Sequence, residues 1–530
     1  MTGQTNAPRP GPEPEARLGS GRLIETVVDA GSFVEWSDLG AGIADPPEGP
    51  YLTELLHARA RTGLRESVLV GEASVGGHRV ALIVSEFAFL GGSIGVAAAE
   101  IIVQAVHRAT AASLPILAAP VSGGTRMQEG TRAFLQMVKI AGAVAEHKHT
   151  GLPYLVYLRH PTTGGVFASW GSMGQVTVAE PGALVGFLGP RVYRAIMGKD
   201  FPPDVQTAEN LYRRGIIDAV LSPEHLARLA GRVLTVMATR RSVRPGEPAT
   251  GSAPSAPRPA VAPAGRSADF DDWAAVQASR IPGRPGLRTL LRVAATDVVT
   301  LSGTGSGEAD PALTLSLARF GGVGAVVMGH DRRAQRGEVA LGPAALRVAG
   351  RGIRLAEELG LPLVTVIDTP GAALSKEAEE GGLAGEIGRC MIALLEVDVP
   401  TIAVILGQGA GGGALALVPC DTVLVAQNGW LSPLPPEGAS AIVYRDAEHA
   451  ATIARDQRIG AAHLVEDGIA DAVLAEHTRA DLDPLAFCRS VGTAVQNQIT
   501  ILQALPDDTR MRQRRDRYRR LGWPAGDAAG

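Results

Sequence analysis

The sequence predicts an α/β protein built from two related halves, and three observations carry that expectation. Short apolar runs alternate with Ala-rich stretches of helical period, the pattern of a layered α/β architecture. Several of those runs end in glycines that open the following helix. The chain also matches itself: Gly164 and Gly165 fall on Gly411 and Gly412 at an offset of 247 (411 − 164). The same offset carries Ala179-Glu180-Pro181-Gly182 onto Ala426-Gln427-Asn428-Gly429. Further on, the run from Arg214 to Leu221 matches the run from Asp467 to Leu474, with the offset grown to 253 (467 − 214). Two divergent copies of one unit account for this register.

Taken in order, residues 1–21 with Pro8, Pro10, Pro12 and Pro14 read as a flexible tail, without the apolar core of a signal peptide. Residues 22–243 form the first half, with strands expected at Val80 to Val84, Ile116 to Ala119 and Tyr154 to Leu158. A Pro/Ala/Ser-rich linker follows over 244–268. Residues 269–530 form the second half, with strands expected at Gly324 to Met328, Leu363 to Ile367 and Thr401 to Leu406. Pro115 and Pro153 stand before two strands of the first half, Pro362 and Pro400 before the corresponding two of the second. The uncharged run Val399 to Cys420 has glycines in its middle and reads as a buried strand, a glycine turn and a helix start, not a membrane span.

Composition narrows the function classes. In 530 residues, 45% hydrophobic content supports large cores, and 50 basic against 54 acidic residues leave a net charge of −4. No global attraction to nucleic acid or to an anionic membrane follows from that balance. Three cysteines, Cys390, Cys420 and Cys488, form neither a disulfide framework nor a zinc ribbon, which fits a reducing, cytoplasmic compartment.

The glycine turns carry the chemistry. Without Cβ a substrate oxygen approaches the peptide plane, and the first N–H groups of the next helix add the positive end of its dipole. Such a place stabilises an oxyanion, and for a thioester losing an α-proton that oxyanion is the enolate. Other motifs compete less well. Gly407-Gln-Gly-Ala-Gly-Gly412 satisfies GxGxxG but has no acidic residue about 20 positions on, and the repeat-related copy lacks the pattern. Gly91-Gly-Ser93-Ile-Gly95 satisfies GxSxG without a visible triad, so Ser93 reads as a helix-start residue. His147 and His149 read as solvated surface, and His57, His78 and His330 have no recognisable partners. The seven arginines between Arg510 and Arg520 read as the wet face of a docking helix.

At this point the residues resemble a family. Phe89 to Gly95, Ser122-Gly-Gly-Thr-Arg-Met-Gln-Glu-Gly130, Pro161 to Val166 and Ala179 to Phe187 resemble the β subunit of bacterial acetyl-CoA carboxylase carboxyltransferase. Ile367-Asp-Thr-Pro-Gly-Ala372, Gly407 to Ala416 and Ser432 with Pro436 to Ser440 resemble the α subunit. The chain is therefore similar to a β-then-α fusion. The resemblance implies an α/β fold of two tandem crotonase-like (ClpP/crotonase) domains, each a β-β-α superhelix. It places acyl-CoA in the first half and carboxybiotin in the second.

Carried over by position, it makes Gly164 and Gly165 donors to the thioester enolate, and Gly412 and Gly413 donors to the biotin ureido oxygen. It places Ser122, Gly123, Gly124, Arg126, Met127, Gln128, Gly92 and Ser93 on the acyl-CoA, and Pro370, Gly371, Gly411 and Ala414 on the biotin. The expected reaction moves a carboxyl group from carboxybiotin to acetyl-CoA, giving malonyl-CoA. A biotin carboxyl carrier protein and a biotin carboxylase are expected as partners, and the chain is expected as at least a homodimer. The chain departs from the family by lacking the four-cysteine ribbon, so no zinc is expected, and by an altered approach between Gly329 and Arg354. The rival readings are a biotin-dependent malonyl-CoA or malonate decarboxylase, a crotonase-like hydratase, and a non-catalytic scaffold binding CoA or carrier.

Overall fold

In the computed structural model the structure describes residues 18–239, 271–335 and 339–521. The expected linker 244–268 and most of the expected tail lie outside the described residues. Each half is built on a seven-stranded sheet. The first runs in the order Val34–Glu35, Val68–Val75, His78–Ser85, Ile116–Ala119, Tyr154–Leu158, Val176–Ala179, Ala219–Val220. The second runs Thr296–Leu301, Leu313–Phe320, Val323–His330, Leu363–Thr369, Thr401–Gly409, Thr422–Ala426, Ala472–Leu474.

The same local chemistry sets both sheets. Gly76-Gly77 and Gly321-Gly322, all at positive φ, make the two-residue turns that let Val68–Val75 pair with His78–Ser85, and Leu313–Phe320 with Val323–His330, antiparallel. The strands that follow are parallel and buried on both faces, as their continuous Val/Ile/Leu runs require. The prolines fix where they begin. Ile116 N–H donates to Pro153 O and Leu363 N–H to Pro400 O, each at 2.8 Å, and Ile116 stands opposite Tyr154 as Leu363 does opposite Thr401. The self-match in the sequence is therefore a match of hydrogen bonds.

Helices Val96–Ala111 and Gly130–His149 link successive parallel strands of the first sheet, and Pro343–Leu359 and Leu383–Glu396 those of the second. In the second half, Val364, Val366, Ile402 and Val404 pack with Phe487, Val491, Val495 and Ile499 of the helix Pro484–Gln503. The run Val399 to Cys420 becomes the strand Thr401–Gly409 and the short helix Gly411–Leu415, as expected. Among the described residues no helix is long and apolar enough to cross a membrane. The chain divides into two compact units, and the division falls earlier than the linker. Asn210–Ala219 and the described residues from Leu229 onward belong to the second unit, Val220–Arg228 to the first.

Two surface expectations are corrected. His147 is fully buried in the helix Gly130–His149, with its Nδ1 2.8 Å from Thr110 Oγ1. The arginines of the helix Asp507–Arg519 are not all wet: Arg510 and Arg514 are buried. Arg514 grips both oxygens of Asp421 at 2.7 Å and donates to the carbonyl of Leu394 in the last turn of the helix Leu383–Glu396 and to those of Val397 and Val399 just past its end. A planar guanidinium with five donors satisfies a whole helix terminus at once, which a solvated stripe does not.

Candidate active site

In each unit two strand-end turns lie side by side. In the first, Ser122 Oγ takes the Gly124 N–H at 2.9 Å, and Thr163 N–H donates to Ser122 O at 3.0 Å, stitching the turn Ser122–Gly124 to the next. In the second, Thr369 Oγ1 takes the Gly371 N–H at 3.1 Å, and Ala410 N–H donates to Thr369 O at 3.2 Å. Ser122 and Thr369, Thr163 and Ala410 are all related by the offset of 247. The structure thus brings Ser122, Gly123, Gly124, Gly164 and Gly165 together in one unit, and Pro370, Gly371, Gly411, Gly412 and Gly413 in the other.

Gly164 and Gly411 have φ of 67° and 65°, a left-handed conformation that glycine adopts without steric cost. That conformation spends their own amides: Gly164 N–H donates to Phe187 O and Gly411 N–H to Ser432 O, each at 2.9 Å. Gly164 is therefore a shaping residue of its turn, not a free donor. The amides that follow are open. Gly165 and Val166 N–H meet no acceptor among the described residues, and Gly412 and Gly413 N–H belong to the first turn of the helix Gly411–Leu415, where no intrahelical acceptor exists. The reason for glycine at the donors also differs from the expected one. An added Cβ at Gly165 would come within 3.0 Å of Met137 Cγ, and at Gly412 within 2.6 Å of Ile387 Cδ1. A side chain there would press on Met137 and Ile387 of the helices behind the two turns.

The other expected contacts separate into two groups. Arg126 is fully buried, with Nη1 and Nη2 at 3.0 and 2.8 Å from the Glu66 oxygens, so it is a strut and not a substrate ligand. Burial opposes its charge, but Glu66 and Tyr51 outweigh that and raise its pKa. Ser93 does not start the helix: its Oγ donates to Leu90 O at 2.8 Å, Gly95 is the N-cap of Val96–Ala111, and Glu129 takes the Val96 N–H at 2.6 Å. Gly92 packs directly against the Val121 carbonyl, and Gly123 N–H donates to Gly91 O at 2.9 Å. Ala414 is buried in its helix. Met127 is 82% exposed, and Gln128 reaches Glu54 at 2.9 Å on the surface.

Each unit has a cleft, which in the first reaches Val121, next to the turn Ser122–Gly124, and in the second reaches Pro370 within its turn. In the first unit a cleft of about 460 Å³ is walled by Phe87, Ala88, Gly91 and Val121, with Arg61, Glu86, Arg159 and Glu180 around it. In the second, a smaller one of about 170 Å³ is bordered by Pro370, Asp368, Arg332, Gln335, Arg280 and Gln408. Asp368 lines this cleft and His330 is hydrogen-bonded to it; sequence reasoning assigned a role to neither. His330 is fully buried, and burial pushes its imidazole down to about 4, with the Gly413 backbone opposing. Its Nδ1 accepts the Asp368 N–H at 3.2 Å. Burial also raises the Asp368 carboxyl, against the pull of Arg332. A carboxylate placed directly before Thr369-Pro370-Gly371 at the end of an apolar strand was a signal for Asp368. His330 gave none.

This duplicated arrangement of strands ending in glycine turns is a crotonase-like fold. Over residues 22–485 the chain matches the Carboxyl transferase domain, and it belongs to that family. It is 53% identical over 509 residues to the probable biotin-dependent acyl-coenzyme A carboxylase beta3 subunit of Mycobacterium tuberculosis, across 96% of this chain and 99% of that one. It is 38% identical over 522 residues to the acetyl-coenzyme A carboxylase carboxyl transferase subunits beta/alpha of Salinispora arenicola, across 96% and 91%. The fold is shared with transcarboxylase 12S, at a TM-score of 0.71 and 19% identity, covering 92% of this chain and 91% of that one. A single-chain, multi-domain long-chain acyl-CoA carboxylase gives 0.65 and 18%, covering 91% of this chain and 46% of that one.

Proposed function

We propose that the chain is the carboxyltransferase of a biotin-dependent acyl-CoA carboxylase, moving a carboxyl group from carboxybiotin on a carrier protein to acetyl-CoA and so forming malonyl-CoA. The observation that carries this reading is the doubling of one turn, with open amides at Gly165 and Val166 in the first unit and at Gly412 and Gly413 in the second. The reaction has two carbonyl oxygens that gain charge, and it needs two such places.

In the first unit, the Gly165 and Val166 N–H groups hold the thioester oxygen as the α-carbon becomes an enolate. Ser122 keeps the adjoining turn closed through Gly124, and Gly164 shapes the turn that presents the donors. In the second unit, the Gly412 and Gly413 N–H groups fit a ureido oxygen, and Pro370 and Gly371 form the neighbouring wall. Bound carboxybiotin supplies the carboxyl group and, once it is given up, a ring nitrogen able to take the α-proton. Each donor is worth about 10²- to 10³-fold in rate. Partners in this reading are the carrier protein, a biotin carboxylase and further copies of the chain, in the cytoplasm. The apolar side chains of Phe134, Leu135 and Val138, exposed on one helix of the first unit, and of Ile442 and Val443, exposed in the second, favour assembly.

The test is the reverse reaction of the purified chain, malonyl-CoA plus free biotin giving acetyl-CoA, run beside methylmalonyl-CoA. Transfer from malonyl-CoA that falls at least 100-fold in Gly412→Val is expected. Stronger transfer from methylmalonyl-CoA would reassign the acyl group, and no biotin-dependent turnover with either would overturn the reading.

A further inference from the structure

We propose that His330 and Asp368 are positioning residues for the second glycine turn, holding in place an irregularity in the strand Thr401–Gly409 that delivers Gly411–Gly413. The inference rests on the reading of that turn as an oxyanion-binding site. It begins with the ladder between Leu363–Thr369 and Thr401–Gly409. Ile367 stands opposite Ile405, but Thr369 stands opposite Gly409, so one strand advances two residues while the other advances four. Leu406, Gly407 and Gln408 carry the excess, and their peptide groups must find partners outside the ladder.

They do so individually. Leu406 O accepts from Arg284 Nη2 at 3.0 Å, and Gly407 O accepts from Trp430 N–H at 3.1 Å. Gln408 N–H donates to Asp368 Oδ1 at 3.1 Å. The carboxylate lies so close over Gly407 that a Cβ there would stand 2.5 Å from Asp368 Oδ1. Asp368 is itself at the break in register, and its N–H goes to His330 Nδ1. His330 ends the strand on the other side, so the pair ties three strand ends together immediately before the turn. Arg332 Nη1, 3.4 Å from Asp368 Oδ2, partly offsets the cost of burying the charge.

The first unit lacks the device. Its residue at the Asp368 position is Val121 and at the His330 position Ser85, each fixed by register and offset. At these two repeat-related positions the carboxylate and the imidazole belong to the second half alone, so they serve something particular to its turn.

The experiment uses the full chain in the malonyl-CoA plus free biotin reaction and compares substitutions that keep or remove the hydrogen-bond acceptor. His330→Asn retains an acceptor at the position of Nδ1, whereas His330→Leu replaces it with a methyl group. Expected are a kcat for the Asn variant within about threefold of the parent and a 10- to 100-fold lower kcat for the Leu variant, with KM for malonyl-CoA within twofold in both. Asp368→Asn, which keeps an acceptor for Gln408 N–H, is expected within about tenfold of the parent. Asp368→Leu is expected to fall as His330→Leu does. If the Leu variants fail to fold, the two Asn variants still decide: loss of 100-fold or more in either overturns the proposal. So does a His330→Leu variant with parental kcat, or one that fails through KM. A parent chain with no biotin-dependent transfer overturns the underlying reading instead, and this inference with it.

Discussion

Residue by residue, the glycines were legible and their neighbours were not. The sequence placed Gly164, Gly165, Gly412 and Gly413 at strand ends because absence of a side chain leaves a visible mark. It could not show that Gly164 spends its amide on Phe187, since that depends on a left-handed φ. Nor could it pair Arg126 with Glu66 or His330 with Asp368, because those partners meet only through strand register. His330 has a thermodynamic consequence that can be checked directly. Its imidazole sits at about 4 when folded and about 6.5 when unfolded, so as pH falls the unfolded chain binds the proton first. Stability from its neutral form is complete above the unfolded value and is lost as pH drops toward the folded one. Buried Asp368, whose carboxyl is raised, slopes the other way, so the comparison must be with His330→Asn, in which Asp368 remains. Between pH 7 and pH 5 the parent should lose about 2 kcal/mol relative to that variant, read from urea midpoints.

Among elements, the strands preceded by Pro115, Pro153, Pro362 and Pro400 were found because proline marks a boundary and the apolar runs behind it are buried on both faces. The helix Asp507–Arg519 was misread for an instructive reason. Arg510, Arg514 and Arg517 recur at helical spacing, which shows that they share a face but not which way that face turns. Here it turns inward, because the carbonyls at and just past the end of the helix Leu383–Glu396 and the carboxylate of Asp421 await donors. Arg514→Met should therefore cost about 3 kcal/mol by leaving Asp421 buried without its partner. It should also make the segment after Gln503 the first site of limited proteolysis. The double variant Arg514→Met with Asp421→Asn should recover part of the loss; if it recovers none, the ion pair is not what holds the helix.

For the molecule as a whole, the proposed function divides the chemistry between the two units, and each should be open to separate disabling. Decarboxylation of malonyl-CoA without biotin needs only the enolate to be held, so it should survive Gly412→Val and fail in Gly165→Val. Biotin-dependent transfer should fail in both. Survival of both activities in either variant would show that the turns are packing devices alone. The fold was readable at this scale because the copies still share their hydrogen bonds, while the packing boundary was not, since the chain near Asn210–Ala219 changes unit without a break in composition. One consequence concerns how such a protein records its history of substitution. A peptide N–H is the same whichever amino acid bears it, so a substitution at these glycines leaves the amide itself in place. It registers instead at Met137, Ile387 and Leu341, the side chains against which the bare backbone is braced.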